Sequence, residues 1–561
     1  MKSFKFKELY YDLVVLIIAS TLGIVFAIGC DEIVEPLSSL DEKISLSITC
    51  LPEYLMKTGV RFLIAIFISI IFAILYASIA AKNKRIGIFL IAILDIFQSI
   101  PVLGYLSFTV TFFISLAPNS TLGVEMAIIF AIFTSQVWNM IFSVYQSLIS
   151  VPKDLYEVAT IYKLNKWQTF WKMELPFAIP GLLWNTALSM TSSWFFIVAV
   201  EIINVGSHSY IVSGMGAYIS LAIKNKDIYA IMNALMAIIV LIFIFNELLF
   251  KPAFAWGGKF VYEFSATNGR RNSWLLDYIQ NSNVCKFLHL IFKRLSSLIV
   301  NLKFPSYVTN KYSFILAEVV WWLLVAWGIF AIYSIFYGFL SNHLSTDEII
   351  KVIKYACMTT LRIMALLILT SLIWVPVGIF IGLRPNLAKN LEPLIQFLTA
   401  MPANLYYPIF VTTIIYFKLD PAIWLSIMMA IGSQWYILYN VIGGTQAIPS
   451  ELLEASFVFK LKRFTKLFKI ILPAIFPFYV TGLITAAGGS WNASIVAELI
   501  TWGNTTLSAP GIGSYITKNT IAGNFPNIAL GLVIMVSFVI IINHLLWRPL
   551  YKFASTRFCL D

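Results

Sequence analysis

Charge is the first thing this chain is short of: Asp, Glu, Lys and Arg together make up 12% of the 561 residues, against 60% apolar residues. A soluble domain carries about 25% charged residues, so a water-exposed globular fold is excluded and the chain belongs in a bilayer. Histidine is scarcer still. His208, His289, His343 and His544 lie far apart, which leaves no helical pair for a metal site or a proton relay, and neither a metal nor a cofactor is expected. The five cysteines contain no Cys-x-x-Cys spacing, and only Cys30 and Cys50 flank a common acidic segment, 31–42, where a disulfide is an open alternative. A Gly-x-x-x-x-Gly-Lys-Ser/Thr phosphate loop is also missing, so the chain holds no ATP site of its own. No leader of the secretory type opens the sequence, and the apolar run near Leu13 reads as a retained span.

What the chain does have is long apolar runs. About 20 apolar residues cross the hydrocarbon as a helix, and that ruler finds six runs in each half of the sequence. They lie near 10–29, 60–81, 86–114, 123–148, 177–203 and 229–250, then near 312–338, 358–383, 391–416, 421–443, 474–500 and 527–547. The expected fold is therefore an all-α integral membrane protein of about twelve spans. The net charge of +12 is spread over the breaks between runs, which is the positive-inside pattern rather than a nucleic-acid patch. It puts both termini in the cytoplasm, together with a basic central segment, 256–311, in which Val284, Phe287, Leu288, Ile291, Leu295 and Leu298 recur at helical spacing as on an interfacial helix.

The two halves are copies. At a constant offset of 297 residues, Pro152 matches Pro449, Glu157 matches Glu454, Lys163 matches Lys460, Leu175-Pro176 matches Leu472-Pro473, Ser193-Trp194 matches Ser490-Trp491, and Glu201 matches Glu498. Gly214 and Gly216 likewise match Gly511 and Gly513. Apolar composition aligns leucines by accident, but not prolines, glycines, tryptophans and glutamates in one register. An even number of spans per copy gives both halves the same topology. The expected division is a first module over 1–255 with a core at about 60–250, the linker 256–311, and a second module over 312–561 with a core at about 357–549.

Between the fourth and fifth spans of each half lies a loop of about 25 residues with a pattern of its own. A proline opens it, then Leu155, Val158, Ala159 and Tyr162 in the first copy, and Leu452, Ala455, Ser456 and Phe459 in the second, recur at i, i+3, i+4 and i+7. Lysines and an arginine follow. Such a helix suits a membrane surface as well as a partner's groove, but Glu157 and Glu454 beside the apolar edge are out of place on anionic lipid.

These loops resemble the signature of permease subunits of ATP-binding-cassette importers: Glu-Ala-Ala, three residues, Gly, nine residues, Ile, one residue, Leu-Pro. The first copy supplies Glu157-Val158-Ala159, Lys163, Met173 and Leu175-Pro176, the second Glu454-Ala455-Ser456, Lys460, Ile470 and Leu472-Pro473. Lysine replaces the family's glycine in both, and since a lysine at positive φ costs about 1 kcal/mol, the family's tight turn is not expected to carry over unchanged. The segments from Trp194 to Glu201 and from Trp491 to Glu498, with the Gly-x-Gly-x-Tyr pattern after each, are similar to the nitrate, sulfonate, taurine and bicarbonate branch. The resemblance implies a type I importer permease fold fused from two six-helix modules in a bacterial inner membrane. It further implies two copies of a cytoplasmic ATP-binding subunit that receive the loop helices, and an extracytoplasmic solute-binding protein.

Candidate ATPase-coupling residues are Pro152, Leu155, Glu157, Ala159, Lys163, Leu175 and Pro176, with Pro449, Leu452, Glu454, Ala455, Lys460, Leu472 and Pro473. Candidates for the pathway or its gate are Trp194, Glu201, Trp491 and Glu498, with Asp95, Pro101 and Pro402; Pro101 and Pro402 match at a shifted offset of 301. A glutamate is a poor direct ligand for an anion, which favours gating or packing for Glu201 and Glu498. The rival readings are a fused ferric iron or thiamine permease and a twelve-span secondary transporter. The second usually carries a Gly-x-x-x-Asp-Arg turn where this chain has Lys82-Asn83-Lys84-Arg85.

Overall fold

The computed structural model describes residues 11–21, 23, 44–118, 120–205, 208–260, 273–300, scattered positions between 322 and 334, and 345–400, 403–503 and 505–557. A short helix, α1 (Tyr11–Thr21), comes first. The first module continues with α2 (Leu51–Lys82), α3 (Lys84–Ser99), α4 (Val102–Leu116), α5 (Leu122–Ile149), a protruding α6 (Lys153–Ile161), α7 (Lys166–Thr169) and α8 (Leu175–Val200). A two-stranded hairpin, β1 (Ile202–Val205) with β2 (His208–Ile211), precedes α9 (Met215–Asn225), α10 (Ile228–Phe245) and α11 (Lys251–Gly257). The linker contributes α12 (Trp274–Asn281) and α13 (Asn283–Val300). The second module repeats the order as α14 (Thr346–Gly382), α15 (Pro385–Ala400), α16 (Tyr407–Tyr416), α17 (Pro421–Gln446), α18 (Ser450–Val458), α19 (Arg463–Lys466) and α20 (Leu472–Ala497). The hairpin β3 (Leu499–Trp502) with β4 (Thr505–Ser508), then α21 (Ile512–Ala522), α22 (Phe525–Ile542) and α23 (Arg548–Arg557), complete it.

Among the described residues seven helices are long and apolar enough to cross a membrane, or nine if each of two bent pairs is one span. Of the expected twelve, most of the span at 312–338 and the end of the one at 10–29 lie outside the described residues. Four other expectations need correction. The run 86–114 is not one straight helix: it breaks before Pro101, and the two pieces meet at 100°. Proline has no N–H to continue the ladder and its ring displaces the preceding turn. The run 391–416 is likewise divided into α15 and α16, joined through a short turn at Ala403–Leu405. Helices α2 and α14 begin well before the apolar runs do, because polar turns such as Thr346 to Lys354, capped by the Ser345 side chain, extend a helix out of the bilayer where a hydropathy ruler cannot follow. The fifth spans also end earlier than expected, at Val200 and Ala497, and the chain turns there into the two hairpins.

Four π-turns recur at one kind of place. They occupy Phe170–Glu174, Asn246–Phe250, Leu467–Ile471 and Asn543–Trp547, and in each case a proline stands two residues further on: Pro176, Pro252, Pro473 and Pro549. A wider turn moves the carbonyl that the proline ring would strike, so the helix continues through a residue that otherwise kinks it.

Within each module the second span packs on the fourth and the fourth on the fifth. Lipid offers no hydrophobic drive for helices to associate, so close approach of small residues does the work. On α14, Gly378 and Gly382 lie one turn apart, and a Cβ at Gly382 would meet the Thr445 Cβ of α17 at 2.5 Å. The matching positions of α2 are Ala77, fully buried, and Ala81, half-buried. Replacing Gly382 by leucine is expected to destabilise the second module by about 1–3 kcal/mol through overpacking. The measurement is the thermal midpoint of the detergent-solubilised protein; an unchanged midpoint would contradict the close crossing.

Candidate functional site

Each half buries a carboxylate at the end of its fifth span and builds a cradle around it. Glu201 is inaccessible to solvent. Its Oε1 accepts from the Thr58 hydroxyl at 2.7 Å and from Arg61 Nη1 at 2.8 Å, and its Oε2 accepts from the Gly216 N–H at 2.5 Å. Glu498 is equally buried, and its Oε1 accepts from the Thr359 hydroxyl at 2.7 Å and from Arg362 at 3.2 Å. Its Oε2 takes the Gly513 and Ser514 N–H groups at 2.8 and 3.1 Å. Those N–H groups belong to the first turns of α9 and α21, whose unpaired donors and dipole favour a negative charge. The Gly-x-Gly pattern is explained by the same geometry, since a Cβ on Gly214 or Gly511 would run into the carboxylate itself.

Thr58, Arg61, Thr359 and Arg362 were not singled out from the sequence, although a signal existed. Tyr54, Thr58 and Arg61 match Tyr355, Thr359 and Arg362 at an offset of 301, the same shift that relates Pro101 to Pro402. The threonines also accept from the backbone, from the Met215 N–H and the Ile512 N–H, both at 3.0 Å. Tyr54 and Tyr355 pack on Tyr218 and Tyr515 with ring centroids 6.1 and 6.3 Å apart. Both arginines stand about 20 residues from the Lys82 and Gly382 ends of their helices, about 30 Å at 1.5 Å per residue, which is the thickness of the hydrocarbon.

The two cradles differ in one respect. Arg61 also engages Glu125 through Nε at 2.7 Å and Nη2 at 2.6 Å, and donates to the Ser213 carbonyl at 2.9 Å, so its guanidinium is saturated. Helix α17, the counterpart of the helix that carries Glu125, contains no acidic residue.

Other pathway candidates are distributed differently. Trp194 is fully buried, stacked on Phe62 at 4.5 Å between centroids, and Trp491 is buried as well, so both tryptophans sit in packed core. Pro101 caps α4 at the bend, and the next N–H, that of Val102, donates to Asn492 Oδ1 of the other module at 2.8 Å. On the opposite seam Asn404 Nδ2 donates to the Phe195 carbonyl at 3.3 Å. Asp95 is part of α3, but its side chain, like Pro402, lies outside what is described.

The repeated loops fold as matched hooks. Pro152 and Pro449 cap α6 and α18, which end in the same closure. Leu164 N–H donates to the Ala159 carbonyl at 3.0 Å, and Leu461 N–H to the Ser456 carbonyl at 3.1 Å, the long bond of a Schellman motif. The residue that motif places in the left-handed region is Lys163 at φ 49° and Lys460 at φ 48°. The expectation that lysine disturbs the tight turn is therefore wrong: the turn is made in both halves, with the strain retained.

The expected apolar edge is split. Ala159 and Ser456 are buried against the protein's own helices, while Leu155 and Ala455 are half-buried. Val158, Ile161 and Tyr162 in the first hook, and Leu452, Phe457, Val458 and Phe459 in the second, are exposed, as are Glu157 and Glu454. Leu175-Pro176 and Leu472-Pro473 follow the π-turns that join the hooks to the fifth spans. The first hook is further tied by the Tyr156 hydroxyl to Glu174 at 3.3 Å and by Lys82 to Glu174 at 3.6 Å.

Residues 63–250 and 374–548 each match the family described as binding-protein-dependent transport system inner membrane component. The chain belongs to that family. It carries the family's domain twice, and each match takes in one hook and one buried glutamate, while the threonine and arginine that hold that glutamate lie just before the matched residues. Individual relatives cover less. The bicarbonate transport system permease protein CmpB of Synechococcus elongatus is 33% identical over 148 residues, 26% of this chain and half of that protein. The nitrate import permease protein NrtB of Leptolyngbya laminosa is 30% identical over 30% of this chain and 56% of its own length. The taurine transport system permease protein TauC of Escherichia coli is 30% identical over 25% of this chain and 49% of its own. The chain thus spans about half the length of these curated relatives in each match.

Two outcomes are expected. Arg61→Ala strands Glu125 and Glu201 without their counter-charge, a loss of about 3–5 kcal/mol for a buried pair, and should abolish folded protein in size-exclusion chromatography. Recovery of normal amounts of folded protein would contradict the cradle. Lys163→Gly or Lys460→Gly removes the strain of the left-handed turn and should raise stability by about 1 kcal/mol each, read as a higher thermal midpoint.

Proposed function

We propose that this chain is the translocation subunit of an ATP-binding-cassette importer for a small anion of the bicarbonate, nitrate or taurine class, with both modules of the permease in one polypeptide. The observation that carries the reading is the pair of protruding hooks, at matched positions and with a matched strained turn, each offering apolar side chains beside a glutamate. Exposed apolar surface costs about 25 cal/mol per Å² in water, so these tips call for a cover. The carboxylates make an anionic lipid surface a poor one, whereas a cleft on a protein partner suits a short amphipathic helix.

In this reading two copies of a separate ATP-binding subunit each receive one hook, one at Pro152 to Lys163 and the other at Pro449 to Lys460. Their closure on ATP pulls on the fifth spans through the π-turns at Leu175-Pro176 and Leu472-Pro473 and tilts the modules against each other. In this reading the hooks, both termini and the linker 256–311 face the cytoplasm and α13 lies on the membrane, which would cover its exposed Phe287, Leu288, Ile291 and Leu298. The modules occupy 1–255 and 312–561. The carboxylate cradles then stand at the outer boundary of the hydrocarbon, where an extracytoplasmic solute-binding protein delivers its cargo. The names of the relatives favour an anion over ferric iron or thiamine.

Purified alone, the chain is expected not to hydrolyse ATP. Glu157→Lys or Glu454→Lys should leave it in the membrane but weaken copurification of the ATP-binding subunit by about tenfold for each 1.4 kcal/mol lost, and reduce solute uptake. Unchanged copurification and uptake with both substitutions would refute the coupling role.

A further inference from the structure

We infer that Arg362 forms an oxyanion site on the second module, at the position where the first module closes the same guanidinium with its own glutamate. The inference grows out of the internal repeat. Arg61 and Arg362 occupy matching positions, each one turn from the threonine that holds the buried carboxylate. Arg61 spends its Nε and Nη2 on Glu125 and its Nη1 on Glu201. Arg362 makes a single 3.2 Å contact through Nη1 to Glu498, and among the described residues its Nε and Nη2 have no acceptor.

Helix α17 itself has no acidic residue, and Asp420, its N-cap, is exposed and accepts from the Ala422 N–H at 2.9 Å. The opening is matched by access: the Arg362 side chain is 17% exposed, against 4% for Arg61. A guanidinium presents parallel N–H groups that fit a planar oxyanion through two bonds, and the half-open fork keeps one edge for that purpose while the other is anchored to Glu498. Net charge follows the same division. In the first cradle one arginine faces two carboxylates, whereas in the second the pair is neutral and an added anion restores the composition of the first.

The ligand is a planar oxyanion: bicarbonate or nitrate entering as solute, or a carboxylate on the solute-binding protein. The site rests on the importer reading for its biological meaning, but its chemistry is testable apart from it. Purified full-length chain in detergent is titrated with sodium bicarbonate, nitrate and acetate by isothermal calorimetry, in parallel with Arg362→Gln and Arg362→Lys. Circular dichroism and size exclusion verify the fold of each. Weaker oxyanion binding by at least fivefold in Arg362→Gln, with partial recovery in Arg362→Lys, identifies a small-anion site. If the binding protein is the source, the folded variants lose its association in a pull-down while wild-type chain shows no small-anion binding. Wild-type and both variants alike in anion binding and in docking would overturn the inference. Failure of the wild-type complex to import bicarbonate, nitrate and taurine alike would instead overturn the importer's substrate class and leave the calorimetric result to decide the site.

Discussion

A carboxylate that has no contact with water must find its donors and its counter-charge inside the fold, and in this protein two such groups, Glu201 and Glu498, organise the same end of both modules. Isolated ionised carboxylates in a low-dielectric interior cost many kcal/mol. The surrounding features follow as requirements. The second span brings a threonine and an arginine one turn apart, and the following short helix aims its free N–H groups at the oxygens. Glycine stands at the N-cap, Gly214 and Gly511, because nothing larger leaves room for the carboxylate. The cradle ties the second span, the fifth span and the helix after it into one unit at one end of the bundle.

At the other end the requirement is opposite. The hooks expose what a folded chain normally buries, and they do so on short helices held rigidly rather than on loose loops. The 6→1 bond from Leu164 and Leu461 and the left-handed lysine fix the direction in which each helix points. The same strain is retained at the same place in both copies. The π-turns serve the same rigidity, carrying the helix through the Leu-Pro pairs into the fifth span without a kink.

Duplication makes departures from symmetry informative. The two seams use the same hydrogen bond in exchanged roles. Asn492 on a fifth span reaches the backbone of one broken third span, and Asn404 in the other break reaches the backbone of the opposite fifth span. The saturated Arg61 and the half-open Arg362 are a further departure. The first hook is braced by Glu174 and Lys82, whereas Ile471 stands at the position matching Glu174. The modules are equivalent in architecture and unequal in charge.

The sequence by itself determined the membrane class, the duplication, the hooks and the paired glutamates. Each of these is a local or periodic signal: apolar run length, a fixed offset, an i, i+3, i+4 pattern, and the rarity of an acidic residue inside a span. Tertiary structure alone decided what the glutamates meet, because Thr58 and Arg61 lie more than 130 residues from Glu201 in sequence and come to it only through helix packing. It also decided that Lys163 and Lys460 accept positive φ, since the closing hydrogen bonds outweigh a penalty of about 1 kcal/mol that composition alone suggests would be avoided. The bend at Pro101 was signalled by the proline, but its 100° extent was not, for that is set by how the two pieces pack against the other module. Which arginine is saturated depends on whether an acid on the neighbouring helix reaches it. That is a fact of side-chain geometry, which no spacing within one helix records.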